Sequence, residues 1–459
     1  MDTISAEPRL LPGNLLSTTE SVCPHCLRTL PAERIERGGV VYLRKTCPDH
    51  GSFETVIWRG GPAFSDWNRP KIPAFPEHPN TKVDKGCPYD CGLCPDHRQQ
   101  PCCVLLEVTQ RCDLGCPVCY ASAGGSVPPD PDMRTVEKWY RKLIRAGGPF
   151  NIQLSGGEPT LRDDLPEIIR LGRSLGFTFF QLNTNGLRIA RDREYLRQLK
   201  FAGLSVVYLQ FDGVDDRVYQ RIRGRKLLEE KLAAIQNCLE LEIGVILVPT
   251  IIPGVNDHEI GDILRFALKY HPGVRGVHYQ PVSYFGRYTT EPANEQRITL
   301  PEIIAGLEEQ TAGLVKAASF KPASGPNPHC SFHGNFVVMP DGKLSPMTRF
   351  DPESCCTPKG AGEERIKAQT FVAKAWVAPK FSPQKYLPGP SLGEWDTFLA
   401  RSKTHLLAIS GMAFQDAWTL DLERLKGCYI MTVAPDGRII PFCAYNLTRS
   451  DGVGLYRCR

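Results

Sequence analysis

Residues 103–120 read Cys-Val-Leu-Leu-Glu-Val-Thr-Gln-Arg-Cys-Asp-Leu-Gly-Cys-Pro-Val-Cys-Tyr. The first seven, CVLLEVT, are a short apolar run with the character of a buried strand. That strand opens directly onto Cys112, Cys116 and Cys119, with Tyr120 behind them. Downstream the pattern repeats. The runs FNIQLSG, FTFFQLNTN, SVVYLQFDG, EIGVILVPTI and GVHYQPVS read as further strands. Between them lie amphipathic helical patterns such as TVEKWYRKLIRAG, DLPEIIRLGRSLG, DREYLRQLKFAG and KLLEEKLAAIQNCLEL. Such alternation predicts an α/β fold with a parallel sheet, here a partial (β/α)6 TIM-type barrel over residues 102–320. Chemistry in such folds gathers at the C-terminal ends of the strands.

Spacing of three and then two residues lets one loop wrap three thiolates around three irons of a cubane cluster, leaving the fourth iron open. An open coordination position is what a catalytic metal site needs, so Cys112, Cys116 and Cys119 are the candidate catalytic residues. A structural zinc loop is the plainer reading of the same spacing. The later strand ends argue against it. Ser155-Gly156-Gly157-Glu158-Pro159 closes the second strand and Asn183-Thr184-Asn185-Gly186 the third. Gln210 and Asp212-Gly213 close the fourth, and Val248 to Asn256 follows the fifth. The cysteine loop resembles the CxxxCxxC-aromatic signature of the radical SAM superfamily, and the other segments resemble its GGEP and later motifs in family order. The resemblance implies a [4Fe–4S] cluster that reductively cleaves S-adenosylmethionine (SAM) to a 5′-deoxyadenosyl radical. It also implies SAM contacts from Tyr120, Gly156, Gly157, Glu158, Pro159, Asn183, Asn185, Gln210, Asp212, Val248 and Asn256.

The chain has 18 cysteines in 459 residues. No secretory signal precedes them, so a disulfide framework is not expected and their clustering points to metal. Cys238 alone sits within a helical pattern and reads as core. Cys23-Pro-His-Cys26 followed by Cys47-Pro-Asp-His50 suits one mononuclear tetrahedral Fe or Zn, with His50 or a later cysteine such as Cys87 as fourth ligand. Cys87, Cys91 and Cys94 repeat the three-then-two spacing, as for a second cubane completed by Cys102, Cys103 or a C-terminal cysteine; a second zinc knuckle is the alternative. Cys330, Cys428, Cys443 and Cys458 suffice for a further cluster, with Cys355 and Cys356 to spare. Two segments there, 330–350 and 428–446, share a strand, a Pro-Asp-Gly turn, a second strand and a proline, which predicts a pair of β-hairpins. Residues 1–101 are expected as a Cys-rich metal region with few periodic stretches. Residues 321–459 are expected as a hairpin region holding auxiliary clusters, with an irregular stretch between the hairpins.

CPHC…TCPDHG, GCPYDCGLCPDH and APDGRIIPFCAYN together resemble the tetraether lipid synthase family of archaea, some members of which were earlier described as dihydropterin-type radical methyltransferases. That resemblance implies auxiliary [4Fe–4S] clusters, a rubredoxin-like mononuclear iron, and a carbon–carbon bond between unactivated lipid chain termini. Radical methylation or sulfur insertion on a small polar substrate such as a pterin is the alternative, and an iron–sulfur electron carrier is the non-enzymatic one. A carrier, however, has no use for a SAM pocket. The expected partners are a reductase such as flavodoxin or ferredoxin and a small-molecule or lipid substrate. An excess of 55 basic over 50 acidic residues is too slight to argue for nucleic acid. No apolar run is long enough to span a bilayer. The expected location is cytoplasmic, with peripheral contact to a membrane surface allowed.

Overall fold

The computed structural model describes residues 12–125, 127–351, 358–380 and 393–457. Six strands lie side by side in chain order and all parallel: Cys103–Thr109, Asn151–Gly156, Phe180–Thr184, Val206–Gln210, Gly244–Val248 and Val274–Pro281. Helices between them bury one apolar face against the sheet. In Met133–Arg145, Val136, Trp139, Tyr140 and Leu143 point inward, and the Asp132 carboxylate caps the first turn through Thr135 N–H.

The barrel does not close. Leu406–Met412 adds parallel to the sixth strand, and Ser331–Val338 adds antiparallel beyond it. At the other edge Ile430–Val433 pairs parallel with the first strand, and Ile439–Pro441 follows antiparallel. The two Pro-Asp-Gly segments therefore do form hairpins, but on opposite edges of the barrel's own sheet. Cys238 is core, as expected.

Two stretches differ from expectation. Residues 14–59 are a regular four-stranded antiparallel sheet, Asn14–Val22, Thr29–Arg37, Val40–Cys47 and Gly51–Arg59, rather than an aperiodic segment. Its alternation is disguised because Lys45 occupies an inward position between Leu43 and Cys47. The Lys45 ammonium is buried and donates to Ser21 Oγ (3.0 Å) and to the carbonyls of Ala417 (2.8 Å) and Trp418 (2.9 Å). The stretch between the hairpins contains the helices Ala361–Ala375 and Glu394–Ser402. The first of these lies across the N-terminal ends of the barrel strands. Asn151 Nδ2 donates to Gln369 O (3.2 Å) and Arg275 Nε to Ala375 O (3.0 Å). Gly244 is required beneath it, since a Cβ there would stand 2.1 Å from Trp376 O. Cys355, Cys356 and Cys458 lie outside the described residues. No helix among the described residues is long and apolar enough to cross a membrane.

Replacing Lys45 by Met keeps most of the volume but leaves the Ala417 and Trp418 carbonyls without their donor. We expect a loss of about 1–3 kcal/mol, read as a lower urea midpoint.

Candidate radical SAM site

The first strand ends at Thr109, and the second strand ends against it. Gly157 N–H donates to Thr109 O (2.9 Å) and Glu158 N–H to Arg111 O (2.8 Å). Both glycines are obligatory for this approach. A Cβ on Gly156, whose φ is +132°, would lie 2.0 Å from Thr109 O, and one on Gly157 would lie 2.2 Å from Arg111 O. The cysteine loop is held from the far side by Arg287, which follows the sixth strand. Its backbone pairs with Cys119 in both directions (2.9 and 3.0 Å), and its Nε donates to Cys116 O (2.9 Å). Tyr120 Oη meets Ser155 Oγ at 3.0 Å.

Glu158 is buried at the centre of these strand ends. Its Oε1 accepts from Thr160 N (3.1 Å), Thr160 Oγ1 (2.6 Å) and Thr184 Oγ1 (2.7 Å). Its Oε2 accepts one bond, from Asn185 N (2.7 Å), so that oxygen keeps a lone pair for a further donor. Burial raises its pKa and these hydrogen bonds oppose the rise. Asn185 Nδ2 in turn donates to Asp113 Oδ1 (2.7 Å), which fastens the third strand end to the cysteine loop.

A cavity of about 710 Å³ opens here. Cys112, Cys116 and Cys119 line it together with Tyr120, Gly156, Gly157, Glu158, Asn183, Asn185, Gln210 and Val248. Pro159, Asp212 and Asn256 do not line it. Asp212 is fully buried and receives Arg223 in a two-bond ion pair, each contact 2.7 Å. Asn256 Nδ2 donates to Asp212 O (2.7 Å) and Thr250 O (2.8 Å), bracing the loop after the fifth strand. Sequence reasoning missed Arg223, which reaches the cavity wall from the helix Asp216–Arg223 and stands in electrostatic range of Cys116. No motif marks it. Phe179 lines the cavity, whereas Phe180 and Leu209 are core.

The other cysteines gather in three places. Ligand atoms of Cys23, Cys26, Cys47 and His50 all lie within 4.8 Å of one another, with Cys26 and Cys47 sulfurs 4.0 Å apart. Tetrahedral zinc thiolates stand about 3.8 Å apart, so the quartet fits one ion with His50 as fourth ligand. Burial raises the Cys47 thiol, but His50, the Asp49 backbone and Cys23 outweigh it and bring it down to about 6. Cys87 is not part of this group; it stands in electrostatic range of Cys91 and Cys94. Cys330, Cys428 and Cys443 form the third group, near enough to interact electrostatically. Arg424 donates to Cys330 Sγ at 3.4 Å and Gln415 N–H to Cys443 Sγ at 3.3 Å. Cys103 accepts from Gln153 Nε2 (3.2 Å) and stands in range of Cys102 and Cys428.

Residues 106–267 match the radical SAM superfamily, and residues 15–59 match the HMPTM N-terminal zinc ribbon domain. The chain is 37% identical over 93% of its length, and 93% of the relative's, to the 7,8-dihydro-6-hydroxymethylpterin dimethyltransferase of Methanocaldococcus jannaschii. It is 27% identical over 54% of its length, and 37% of the relative's, to molybdenum cofactor biosynthesis protein 1 of Bos taurus. Among solved structures, Streptococcus suis SuiB bound to the precursor peptide SuiA aligns over 47% of this chain and 46% of that one, with 14% identity and a TM-score of 0.39. The chain belongs to the radical SAM superfamily and, within it, to the family of the Methanocaldococcus jannaschii protein. It is a radical SAM enzyme, with the [4Fe–4S] cluster and SAM that this class uses.

Replacing His50 by Ala should remove about one equivalent of tightly bound metal, read by mass spectrometry of the digested protein, because three thiolates leave the site open. Replacing Asp212 by Ala strands the buried Arg223 charge, and we expect about 3–5 kcal/mol of destabilisation, read by denaturant unfolding.

Proposed function

We propose that this enzyme abstracts hydrogen from an unactivated carbon at the end of a long apolar chain and joins two such termini by a carbon–carbon bond. The observation that carries this reading is the lining of the cavity, which joins the three cysteines to the apolar side chains Phe179, Phe332, Val372, Trp376 and Met412. At about 710 Å³ it lies in the range that holds ligands of drug size, so its lining rather than its volume favours an alkyl chain.

A [4Fe–4S] cluster on Cys112, Cys116 and Cys119 would supply the electron that splits SAM into methionine and the 5′-deoxyadenosyl radical. Tyr120, Gly156, Gly157, Glu158, Asn183, Asn185, Gln210 and Val248 would hold SAM, with the free lone pair of Glu158 Oε2 suited to an ammonium. Two SAM and two electrons remove one hydrogen from each of two methyl ends. The products are two methionines, two 5′-deoxyadenosines and one new bond between the two carbons. The electrons come from a reductant of the flavodoxin or ferredoxin kind. We assign Cys87, Cys91 and Cys94 to one auxiliary cluster and Cys330, Cys428 and Cys443 to another.

A second reading, radical methylation of a pterin, has its own support. The relative's name is that of a pterin dimethyltransferase. A row of side-chain amides also crosses the barrel, with Gln181 donating to Asn183 (2.7 Å) and Asn183 to Gln153 (3.2 Å). Such a row could read the polar edge of a heterocycle.

Anaerobically reconstituted protein with dithionite and SAM should yield 5′-deoxyadenosine, and the Cys112→Ala/Cys116→Ala/Cys119→Ala variant should yield none while retaining its other iron. Mass analysis of lipid extracts from expressing cells should show joined chains lacking two hydrogens. Unchanged lipids alongside a methylated pterin would replace the first reading by the second.

A further inference from the structure

Arg424 stands in the short helix Leu422–Lys426, and its side chain is buried against the C-terminal thiols. Its Nη2 donates to Cys330 Sγ and to Ala413 O, each at 3.4 Å, and Cys443 is in electrostatic range. Its Nε is buried without a hydrogen-bond partner. Asp421 is also in electrostatic range, but its carboxylate is already engaged. Arg34 meets Oδ2 through Nε (2.9 Å) and Nη2 (2.6 Å), and Thr19 Oγ1 meets Oδ1 (2.9 Å). No carboxylate among the described residues forms an ion pair with Arg424. Lys71, which donates to Pro326 O, is a further cation in range of Cys330.

A buried guanidinium that no carboxylate pairs with is costly, and neutral thiols would not offset that cost. Thiolates carrying a cluster would, because they place net negative charge and sulfur acceptors where Arg424 already points. The orphaned Nε and the thiol donor set therefore fit the cluster assigned above to Cys330, Cys428 and Cys443. The other two cysteine loops stand in different fields. Beside Cys87 are the carboxylates Asp96 and Glu20, and the cation there, Lys426, is paired with Glu423 at 2.8 Å. At Cys116 the charge of Arg223 is matched by Asp212.

We propose that Arg424 raises the reduction potential of the C-terminal cluster above that of the Cys87 cluster, so that the C-terminal one takes an electron from the reductant first. The step is the uptake of one electron, with no bond made or broken. A charge-assisted hydrogen bond to a ligand sulfur and an unpaired positive charge both favour the more negative, reduced state. Burial leaves that charge little screened. Arg424 is a positioning residue here: it acts through Cys330 and does not touch substrate. The proposal rests on the two auxiliary clusters assigned above and adds which of them is reduced first, and why.

The test is an EPR-monitored redox titration of full-length reconstituted Cys112→Ala/Cys116→Ala/Cys119→Ala protein, in which the auxiliary clusters are the [4Fe–4S] species that titrate. Iron is counted in every sample, and adding Cys428→Ala/Cys443→Ala identifies the C-terminal wave by its loss. We expect two waves, the C-terminal one higher. Arg424→Gln should lower that wave by about 60 mV or more, a tenfold change in the reduction equilibrium, and leave the other in place. Arg424→Lys should recover most of the loss. A C-terminal wave that stays put in Arg424→Gln, or is as low in Arg424→Lys, overturns the role of the Arg424 charge and leaves the cluster reading standing. A C-terminal wave below the other in the parent protein also overturns it, which decides the matter if Arg424→Gln assembles no cluster. Iron content unchanged by Cys428→Ala/Cys443→Ala means that no cluster stands there, and overturns the cluster reading together with the proposal.

Discussion

One buried carboxylate holds the site together. Glu158 follows the second strand, yet its oxygens accept from the loop after that strand and from Thr184 and Asn185 at the end of the third. A carboxylate taken from water is costly unless donors meet it, and here three donors meet Oε1 and one meets Oε2. Asn185 then carries the connection to Asp113 inside the cysteine loop. The geometry of the three thiols thus depends on a residue that is not one of their neighbours in sequence. The glycines before Glu158 serve the same end, since only a bare backbone can come close enough to Thr109 and Arg111.

An open barrel brings a second requirement, because its two edge strands would offer unpaired N–H and C=O groups. The C-terminal residues answer it. Ile430–Val433 pairs with the first strand, and Leu406–Met412 with the sixth. Cys428 and Cys330 sit beside these added strands, so the edge-covering segments also bring the C-terminal thiols together.

The barrel was legible because strand and amphipathic helix patterns alternate along the chain, and a run such as CVLLEVT has few alternatives. The cysteine loop was legible because the strand-end segments after it, SGGEP and NTNG among them, resemble the motifs of one family in order, which its spacing alone did not decide. Side-chain direction was not. Asp212 and Asn256 follow the expected strand ends, but both turn into the loop framework and brace it instead of facing the cavity. The N-terminal strands were hidden by Lys45, a charge at an inward position whose partners, Ala417 and Trp418, lie more than 370 residues away. Which thiols share a site is likewise a matter of tertiary distance. His50 completes the first quartet rather than Cys87, a choice that spacing left open.

Charge around Cys116 shows what such misreadings conceal. Asp212 looks like a ligand-binding residue in the sequence because the segment it ends resembles a family motif at the close of the fourth strand. In the fold it anchors Arg223, and Arg223 reaches Cys116. Burial works against the guanidinium charge, but Asp212 and Cys116 more than offset it, and its pKa stays raised. Lys231, buried nearby, lacks so close a carboxylate, and burial brings it down to about 8. The difference follows from geometry: Arg223 has a two-bond carboxylate partner, whereas Lys231 donates to the Asn185 carbonyl. Thiolates at this loop would add negative charge within reach of both cations, which makes a fixed, paired arginine better suited than a titrating lysine to stand against Cys116.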